Sequence, residues 1–461
     1  MRRRTFLGTA GTGGAQFLAI AGGTDSSVLS EARGQSSLSP GSQQGPCRER
    51  ALTHLAGLSL PELRRRFRDD LFEKMLPFWD KHGVDHEYGG VMHGLDYGGA
   101  RVHTTKLTWF QGRAIWVYSF LYNHFGGNPA HLDIARAAKD FLLKNAPQPD
   151  GWWAEVLSRE GHVLRPFSGD IYGMYFAAEG LQEYAWAARD DEARRIAFDL
   201  VARLFRHIDT PDFRFMGTGA PGVRPQGLWM VNINTTRQMI SRWKDPAIER
   251  ILERSVDAVV NRHYNPEIGL NNEDLNYDFS RPEEAASKCV VGHSIETLWM
   301  VMEEALRRGD RRLWDTCAER IHRHLDVGWD WVFGGLSQCV NVDHGGYVWP
   351  PETPVGTDLV FRFTGEYQYL KTLWALNEVL VATLNVLEQT GADWAARYFD
   401  MSQRLIDEKF AMTKRGLPGY GLFGDRRMNF PQHTARQDNY HPIRQLMLNL
   451  LTLDRMIARR R

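Results

Sequence analysis

A helical pattern that recurs from about residue 60 to the end of the chain constrains the fold more than any other feature. Apolar residues return at helical spacing in twelve stretches, most of them arranged as neighbouring pairs. In a typical pair, a first helix rich in aromatic residues precedes a more charged one, such as the stretch 190–206. The predicted helices cover residues 60–82, 106–125, 130–145, 170–188, 191–207, 228–243, 246–262, 290–308, 311–326, 366–389, 392–410 and 438–458.

Twelve helices in six hairpins favour an all-α fold, the (α/α)6 barrel, in which inner helices line a cavity and amphipathic outer helices face solvent. The chain has 461 residues, 43% of them hydrophobic, which is enough for such a core. Lys plus Arg and Asp plus Glu number 56 each, with no long basic run outside the chain ends. Composition therefore argues against nucleic acid and anionic membranes as partners. Four widely spaced cysteines predict neither a zinc site nor a disulfide framework.

The N-terminal segment predicts export. Residues 2–8 (RRRTFLG) precede a weakly apolar run to Ala21, which is the order of charge, apolar run and small residues in a twin-arginine signal. We expect a signal peptide over 1–21, a disordered linker rich in Ser, Gly and Gln over 22–55, and the barrel over 56–461. The apolar run is too short and too Gly-rich to span a bilayer. The mature protein is therefore expected in the periplasm or outside the cell.

Two glycine blocks have the same form. Residues 85–90 (DHEYGG) are followed by 96–99 (DYGG), and residues 330–335 (DWVFGG) by 343–346 (DHGG). These glycines predict β-hairpins in the rim loops of the barrel, because glycine adopts the left-handed conformation of tight turns. The blocks are separated by roughly half of the domain, which predicts an internally repetitive barrel.

The stretch 290–299 (VVGHSIETLW) opens one of the predicted helices and carries the first candidate site. His293 and Glu296 are three residues apart, so they share a face of the helix at its first turn. An imidazole and a carboxylate at a helix start that faces a cavity can act as acid and base. The same pair can equally be a histidine held by a carboxylate for structural reasons.

Four motifs, in the right order, resemble the N-acylglucosamine 2-epimerase (renin-binding protein) family. Residues 106–118 (KLTWFQGRAIWVY) are similar to the family signature K-x-x-W-x-Q-G-R-x-x-W-x-Y, and residues 292–296 (GHSIE) to its G-H-x-x-E motif. A K-x-x-W-x-x-x-E motif spans 371–378, and the family's F-H-V-P-R is represented by residues 440–444 (YHPIR). The resemblance covers nearly all of the predicted mature chain.

The resemblance implies an (α/α)6 barrel whose cavity holds two histidines on opposite sides of an open-chain sugar, here His293 and His441. It implies a sugar 2-epimerase that acts on an aldose or an N-acylhexosamine, without metal or cofactor. The proton on carbon 2 of an aldose is weakly acidic, so one imidazole removes it and a second group returns a proton to the other face. Because the family often dimerises, a homodimer is also expected.

The other motif positions are expected to serve the histidines and the substrate. Glu296 and Glu378 would orient or tune the imidazoles, while Arg113 and Arg444 would hold the developing oxyanion and the sugar hydroxyls. Three further motif residues are assigned to substrate binding: Lys106, Trp109 and Trp374. Structural roles stay open for Arg113 as an ion-pair partner, for Glu378 as the partner of a buried cation, for His441 as the opening residue of the last helix, and for the tryptophans as core.

The sequence departs from the family in two places. Cellobiose 2-epimerases and mannose isomerases of the superfamily carry a further histidine in the helix that corresponds to 228–243, and this stretch has none, which places the chain nearer the acylglucosamine branch. In the last motif the proline and the apolar residue are exchanged, with the spacing from His441 to Arg444 kept. An export signal is unusual for an enzyme of cytosolic sugars, so the family's response to ATP is not carried over.

Three other activities fit the same barrel. An aldose–ketose isomerase would return the proton to carbon 1 instead of carbon 2. A glycoside hydrolase or unsaturated uronyl hydrolase needs two carboxylic acids across the scissile bond, such as Asp170 with Glu273 or Asp274. A carbohydrate- or protein-binding module would bind its ligand without exchanging a carbon-bound proton.

Overall fold

The computed structural model describes residues 52–217, 219–341, 345–346, 370–416, 419–429 and 438–459. All of them belong to one compact unit, Arg50–Arg461. The predicted signal peptide, most of the predicted linker and Cys47 lie outside the described residues, as do residues 343–344 of the DHGG turn. The folded unit begins before the predicted boundary at residue 56, because Leu55 is buried and the strand His54–Leu55 pairs with Leu58–Ser59.

Helices occupy the positions that the sequence predicts, with most ends within a few residues. One predicted start, at residue 366, is wrong: Lys371–Thr372 is a strand paired with Phe423–Gly424, so that helix begins at Leu373. The helices are α1 (Leu60–Asp69), α2 (Leu76–His82), α3 (Thr108–His124), α4 (Pro129–Asn145), α5 (Tyr172–Ala188), α6 (Asp191–Ile208), α7 (Gln226–Ile240), α8 (Pro246–Asp257), α9 (Val291–Arg308), α10 (Arg311–Gly328), α11 (Leu373–Thr390), α12 (Asp393–Leu405) and α13 (His441–Ala458). Three helical stretches include π-helical turns, at Asp70–Met75, Ala258–His263 and Ile406–Phe410, and 3-10 turns lie at Phe215–Gly217, Glu283–Ala285 and Met412–Arg415.

The helices form two concentric rings. The inner ring runs α3, α5, α7, α9, α11 and α13, each helix packing on the next, and α13 closes the ring against α3. The outer helices α4, α6, α8, α10 and α12 each pack on the inner helix that precedes them, and α1 packs on α13. This arrangement is an (α/α)6 barrel, so the predicted fold class is confirmed.

Burial separates the two rings as the sequence pattern predicts. In the inner helix α5, every residue from Tyr172 to Ala185 is buried, because the helix is packed on both sides. In the outer helix α6, the buried residues Ala193, Ala197, Leu200 and Leu204 lie on one face, at the three- to four-residue spacing of an amphipathic helix.

Helices α3 and α5 cross with their backbones in contact. A Cβ atom on Gly112 would lie 2.3 Å from the carbonyl carbon of Phe176 and 2.4 Å from the nitrogen of Ala177. On the facing helix, a Cβ on Gly180 would lie 2.4 Å from the carbonyl oxygen of Gly112. Since the opposing atoms are backbone, the helices must separate to admit a methyl group.

We therefore expect Gly112→Ala to destabilise the protein by at least about 2 kcal/mol, because the cost of overpacking exceeds the gain in helix propensity. Gly173→Ala on α5 is the matched control, since its new Cβ would meet only ordinary contacts at 3.4 Å. Thermal unfolding at one scan rate measures both variants. Equal midpoints for the two variants would contradict the close crossing.

Short antiparallel strands precede the inner helices and form the rim. They are β1 (His54–Leu55), β2 (Leu58–Ser59), β3 (Lys106–Leu107), β4 (Val156–Leu157), β5 (Val163–Arg165), β6 (Arg224–Pro225), β7 (Tyr264–Asn265), β8 (Leu270–Asn271), β9 (Asp274–Leu275), β10 (Lys288–Val290), β11 (Cys339–Asn341), β12 (Gly345–Gly346), β13 (Lys371–Thr372) and β14 (Phe423–Gly424). The sheets they form have two or three strands, in the orders β1-β2, β3-β4-β5, β6-β9, β7-β8, β10-β11-β12 and β13-β14. The predicted rim hairpins are therefore present.

The two glycine blocks adopt the same turn. Asp85 N donates to Gly90 O at 3.0 Å and Gly89 N donates to Asp85 O at 2.9 Å. In the second block, residues 330–335, the corresponding hydrogen bonds measure 2.9 and 2.8 Å. Both pairs of glycines have positive φ, from 75° to 85°, which explains why glycine stands there.

Each block also holds a buried lysine in front of an inner helix. Asp85 pairs with Lys106 at 2.9 Å before α3, and Asp330 pairs with Lys371 at 3.0 Å before α11. In the ring, α13 stands between α11 and α3, so the inner helices that follow the two blocks are not diametrically opposite. The unit that recurs is thus a helical hairpin with its rim turn. The two glycine blocks are about half a domain apart in sequence, but they do not mark two equal halves of the barrel.

None of the described helices combines the length and the apolar composition needed to cross a membrane.

Candidate active site

The N-terminal ends of the inner helices meet at one place. Trp109 of α3 stacks on Tyr172 of α5 at 5.2 Å between ring centroids. The ring of Trp374 on α11 lies 5.5 Å from that of His293 on α9 and 5.8 Å from that of His441 on α13. The positive ends of several helix dipoles therefore point at the two imidazoles, which favours a negative charge on anything bound between them.

His293 is held by a carboxylate from the rim. Its Nδ1 lies 2.9 Å from Glu273 Oε1, and its side chain is 27% exposed while Glu273 is buried. Burial alone lowers the pKa of an imidazole, but the charge and hydrogen bond of Glu273, helped by the charge of Glu296, outweigh it and raise the pKa of His293. In turn, burial would raise the pKa of Glu273, but the charge and hydrogen bond of His293, together with the charge of Lys288, lower it.

His441 is the first residue of α13 and is held from its own chain segment. Its Nδ1 lies 2.5 Å from Asp438 Oδ2, and its side chain is only 7% exposed. Burial is the largest influence and lowers the pKa of His441; the Arg113 charge acts in the same direction and the Asp438 charge opposes it. The two imidazoles are thus shifted in opposite directions.

The opposite pKa shifts suit complementary roles for the two histidines. An ionised carboxylate only accepts hydrogen bonds, so each Nδ1 carries the proton and each Nε2 is presented to a ligand. The lowered pKa of His441 favours its neutral form, and the raised pKa of His293 favours its protonated form. Two titratable groups with pKa values moved apart are the arrangement that acid/base chemistry requires.

Glu296 and Glu378 contact an arginine, in place of the histidines they were expected to orient. Arg444 Nη2 hydrogen-bonds Glu296 Oε1 and lies 2.7 Å from Glu378 Oε1. Trp299 Nε1 donates to the other oxygen of Glu378 at 2.9 Å. Burial raises the pKa of Glu378 to about 7, with Arg444 opposing the rise and Glu296 adding to it. Glu296 still lies close enough to His441 to favour its charged form.

Arg444 sits below the imidazoles as a counter-ion. It is almost fully buried, and its guanidinium contacts the two glutamates and the hydroxyl of Tyr440. Ligand-type atoms of Glu296, Glu378 and His441 lie within 4.8 Å of one another, a spacing that suits a cation. The guanidinium of Arg444 already bridges both of these carboxylates. The structure therefore gives Arg444 a charge-compensating place, where the sequence predicted a contact with the substrate.

Arg113 brings a buried guanidinium to the site beside His441. Its guanidinium lies over the rings of Phe176 and Tyr440, at 4.1 and 4.5 Å from their centroids. Its nearest carboxylate is Asp438, at 3.9 Å, and within the described part of the chain its Nε and Nη1 meet no hydrogen-bond acceptor. Buried cationic donors beside His441 suit a developing oxyanion.

Of the three remaining residues predicted to bind substrate, two lie at the site and one lies elsewhere. Trp374 contacts both imidazoles, and Trp109 lines the same mouth beside Arg113, at 5.2 Å. Lys106 does not join them: it is fully buried, with its Nζ bound to Asp85, to Gly89 O at 2.6 Å and to Arg159 O at 2.7 Å. The structure therefore places Lys106 in the rim turn, where it satisfies a buried carboxylate.

Two site carboxylates have no assigned role in the sequence motifs. Asp438 stands three residues before His441, a spacing that could have identified it. Glu273 precedes His293 by twenty residues and reaches it only because the rim strands fold back over α9, so no local pattern could reveal the pair. In the sequence, Glu273 and its neighbour Asp274 are candidates only for the pair of carboxylic acids that a hydrolase needs.

The three hydrolase candidates occupy separate environments. Glu273 pairs with His293, and Asp274 pairs with Lys288 at 2.6 Å. Asp170 accepts from the backbone nitrogen of Tyr172 at the start of α5, and burial followed by the Glu155 charge raises the pKa of Asp170 to about 7. Glu273 and Asp274, the two potential partners of Asp170, are already paired with His293 and Lys288. This arrangement does not favour a pair of hydrolytic carboxylic acids.

Glu273→Gln is expected to move the alkaline limit of activity to lower pH, because the pKa of His293 falls when the charge of Glu273 is removed. The pH dependence of kcat measures this change. Asp274→Asn is the control, since its carboxylate serves Lys288. An unchanged alkaline limit in Glu273→Gln would show that His293 is not the group that must stay protonated.

Fold and geometry together define an (α/α)6-barrel protein whose mouth holds two imidazoles, each bound at Nδ1 by a carboxylate. The model of one family, N-acylglucosamine 2-epimerase (GlcNAc 2-epimerase), matches residues 89–443. That match covers most of the chain, so the chain belongs to the N-acylglucosamine 2-epimerase family, as its motifs predicted.

Individual relatives are distant. The chain is 26% identical over 296 residues to the N-acylglucosamine 2-epimerase of Bos taurus, covering 59% of this chain and 66% of that protein. It is 24% identical over 338 residues to the cellobiose 2-epimerase of Bacteroides fragilis, covering 66% and 83%. Its fold is similar to the structure of cellobiose 2-epimerase from Spirochaeta thermophila, with a TM-score of 0.69, 17% identity and coverage of 86% and 98%.

Proposed function

We propose that the protein is a sugar 2-epimerase, acting on the open-chain form of an aldose or N-acylhexosamine. The observation that carries the proposal is the pair of imidazoles at the barrel mouth, each held at Nδ1 by a carboxylate, with pKa values shifted in opposite directions. Membership of the N-acylglucosamine 2-epimerase family supports the same reaction.

The reaction needs one base and one acid on opposite faces of carbon 2. Neutral His441 Nε2 takes the carbon-2 proton, and the electron pair of the broken C–H bond forms a double bond to carbon 1, which leaves negative charge on the aldehyde oxygen. Protonated His293 then delivers its Nε2 proton to the opposite face of carbon 2, and the carbonyl reforms. The configuration at carbon 2 is inverted. The opposite epimer reacts with the roles of the two histidines exchanged.

The developing oxyanion is the charge that the protein must stabilise. Arg113 brings a buried guanidinium with unpaired donors, and the first turns of the inner helices bring the positive ends of their dipoles. Preorganised donors of this kind contribute about 3–4 kcal/mol each when an oxyanion forms away from water. Trp374, which contacts both imidazoles, closes one side of the site.

The test follows the carbon-2 proton. Protein without residues 1–21 is incubated in deuterated water with N-acetylmannosamine, mannose, glucose and cellobiose, and proton NMR follows exchange and product. Deuterium at carbon 2 together with a new epimer supports the proposal and identifies the substrate. A ketose product would replace it with aldose–ketose isomerisation. Released glycosidic fragments, or binding without exchange, would leave a hydrolase or a binding protein.

Location and assembly extend the proposal. The arginine-rich residues 2–8 and the apolar run behind them support export through the twin-arginine pathway to the periplasm or beyond. The family resemblance supports a homodimer. Fractionation of cells that express the full chain, with and without Arg3→Lys and Arg4→Lys, tests the location, and sedimentation velocity tests the assembly.

A further inference from the structure

A buried polar network continues below the two histidines, on the side of Arg444 away from the glutamates Glu296 and Glu378. Arg444 Nη1 donates to the hydroxyl of Tyr440 at 3.1 Å, and that hydroxyl lies 2.7 Å from Glu179 Oε1 on α5. Glu179 is only 1% exposed. Neither Tyr440 nor Glu179 has a place in the proton transfer described above.

The direction of the hydrogen bonds is fixed by the arginine. A guanidinium only donates, so the oxygen of Tyr440 accepts from Arg444 and its single proton is directed to Glu179. Asn234 Nδ2 donates to the same Glu179 oxygen at 2.7 Å and Gln238 Nε2 at 3.1 Å. Glu179 Oε1 thus accepts three hydrogen bonds, and each of them favours the ionised carboxylate.

The charges around Glu179 come from several helices. From α13 it faces Tyr440 and Arg444, and from α7 it faces the neutral amides of Asn234 and Gln238. Glu296 of α9 and Glu378 of α11 lie on the far side of Arg444, and Arg113 of α3 lies over the ring of Tyr440. Three carboxylates therefore share the single guanidinium of Arg444. Burial raises the pKa of Glu179, with Arg444 opposing the rise.

The same tyrosine is the neighbour of a catalytic histidine. Tyr440 directly precedes His441, and the two rings meet edge to face with centroids 5.3 Å apart. The hydroxyl that binds Arg444 and Glu179 thus anchors the chain at the point where His441 enters the site. The side chain of Tyr440 therefore connects Glu179 to both Arg444 and His441.

We propose that Glu179 is a positioning residue of this site: through the Tyr440 hydroxyl it holds Arg444 between Glu296 and Glu378 and sets the charge beside His441. The inference rests on the proposed epimerase function and adds a residue that contacts no substrate atom. Because Glu179 supplies negative charge, its neutralisation leaves the positive charge of Arg444 less compensated. The protonated form of His441 then becomes less favourable.

The experiment combines two variants in the full barrel. Glu179→Gln keeps the size and an acceptor oxygen but removes the charge, and Tyr440→Phe removes only the connecting hydroxyl. We expect each to lower kcat about tenfold with little change in KM. Because both act on one pathway, the double variant is expected to lose about tenfold to twentyfold, well short of the hundredfold expected for independent effects.

The pH profile separates positioning from general structural damage. In Glu179→Gln the acid limit of kcat is expected to move to lower pH by at least about 0.5, since the pKa of His441 falls. Glu183→Gln is the matched control: Glu183 is buried on the same helix but bound to Arg242 at 2.6 Å and to Asn123. This control is expected to leave the acid limit unchanged.

A second readout does not depend on turnover. The Cε1–H resonance of His441, assigned with His441→Gln, is titrated in wild type and in Glu179→Gln without substrate. A lower pKa in the variant supports the inference even where no sugar is converted, in which case only the proposed function fails. Additive losses in the double variant, or an unchanged His441 titration, would overturn the role of Glu179.

Discussion

His441→Gln and His293→Gln are each expected to lower kcat for epimerisation by about a thousandfold or more, because positioned acid/base groups contribute about 100- to 10,000-fold each. Glutamine keeps the polarity and much of the volume of histidine but neither accepts nor releases a proton at neutral pH. In His441→Gln the base that starts the reaction from one epimer is missing. In His293→Gln the same holds for the other epimer.

The two variants differ in the exchange that survives. When one histidine is absent, the other still faces one side of carbon 2 and can remove and return a proton there. His441→Gln is therefore expected to exchange deuterium into only one epimer of the substrate pair, and His293→Gln only into the other. This reciprocal pattern follows from two bases on opposite faces, and a single base that serves both faces does not produce it.

Proton NMR in deuterated water, run separately from each epimer, measures both results. His131→Gln is the control for the loss of a buried imidazole, since His131 lies on the outer helix α4. We expect the control to keep wild-type kcat. Exchange of both epimers in both variants, or full activity in either, would refute the two-histidine mechanism.

The sequence was sufficient for the fold because each barrel hairpin is specified locally. The inner helix α5 is rich in aromatic and small residues and the outer helix α6 is amphipathic, and burial in the structure follows this difference. The positions of the two histidines could also be predicted from the sequence, since the order of the motifs places His293 and His441 at the starts of inner helices. Ring closure then brought them together around Trp374.

The side chains that pair with the site residues could not be predicted from the sequence in the same way. Sequence proximity suggested that Glu296 orients His293, but on the helix Glu296 is directed to Arg444, and Glu273 arrives from the rim strands. Arg444 was expected at the substrate, and Lys106 as well. Both are cations that neutralise buried carboxylates, and only the three-dimensional packing shows which carboxylate lies beside which cation.

The place of Arg444 predicts the largest effect on stability. Arg444→Met is expected to destabilise the protein by roughly 3–5 kcal/mol at pH 7.5, because it leaves Glu296 and Glu378 buried without their counter-ion. Methionine fills part of the space of the arginine side chain, so the lost stability comes mainly from the missing positive charge. Arg455→Met on the same helix is the control: Arg455 is half exposed, and its buried partner Glu388 keeps a second ion pair with Arg459 at 3.2 Å, so the loss is expected to be clearly smaller.

The pH dependence of this loss has a definite sign. Burial already raises the pKa of Glu378 to about 7 in the wild type, and removing Arg444 raises it further. The pKa of Glu296, which Arg444 holds down against burial in the wild type, rises as well. A carboxyl group with a raised pKa binds more protons in the folded state than in the unfolded one, so stability falls as pH rises from about 4.5 through the folded pKa. Arg444→Met is therefore expected to be closer to wild type at pH 5 than at pH 7.5.

Thermal unfolding at one scan rate, at pH 5 and pH 7.5, measures both effects. The triple variant Arg444→Met, Glu296→Gln, Glu378→Gln is expected to recover much of the lost stability at pH 7.5, since amides remove the buried charges. If the triple variant recovers stability, the loss in Arg444→Met comes from the buried, unpaired carboxylates. A loss of packing alone would remain, because the two amides do not refill the space of Arg444. Equal midpoints for Arg444→Met and Arg455→Met would show that the guanidinium of Arg444 does not compensate the two glutamates.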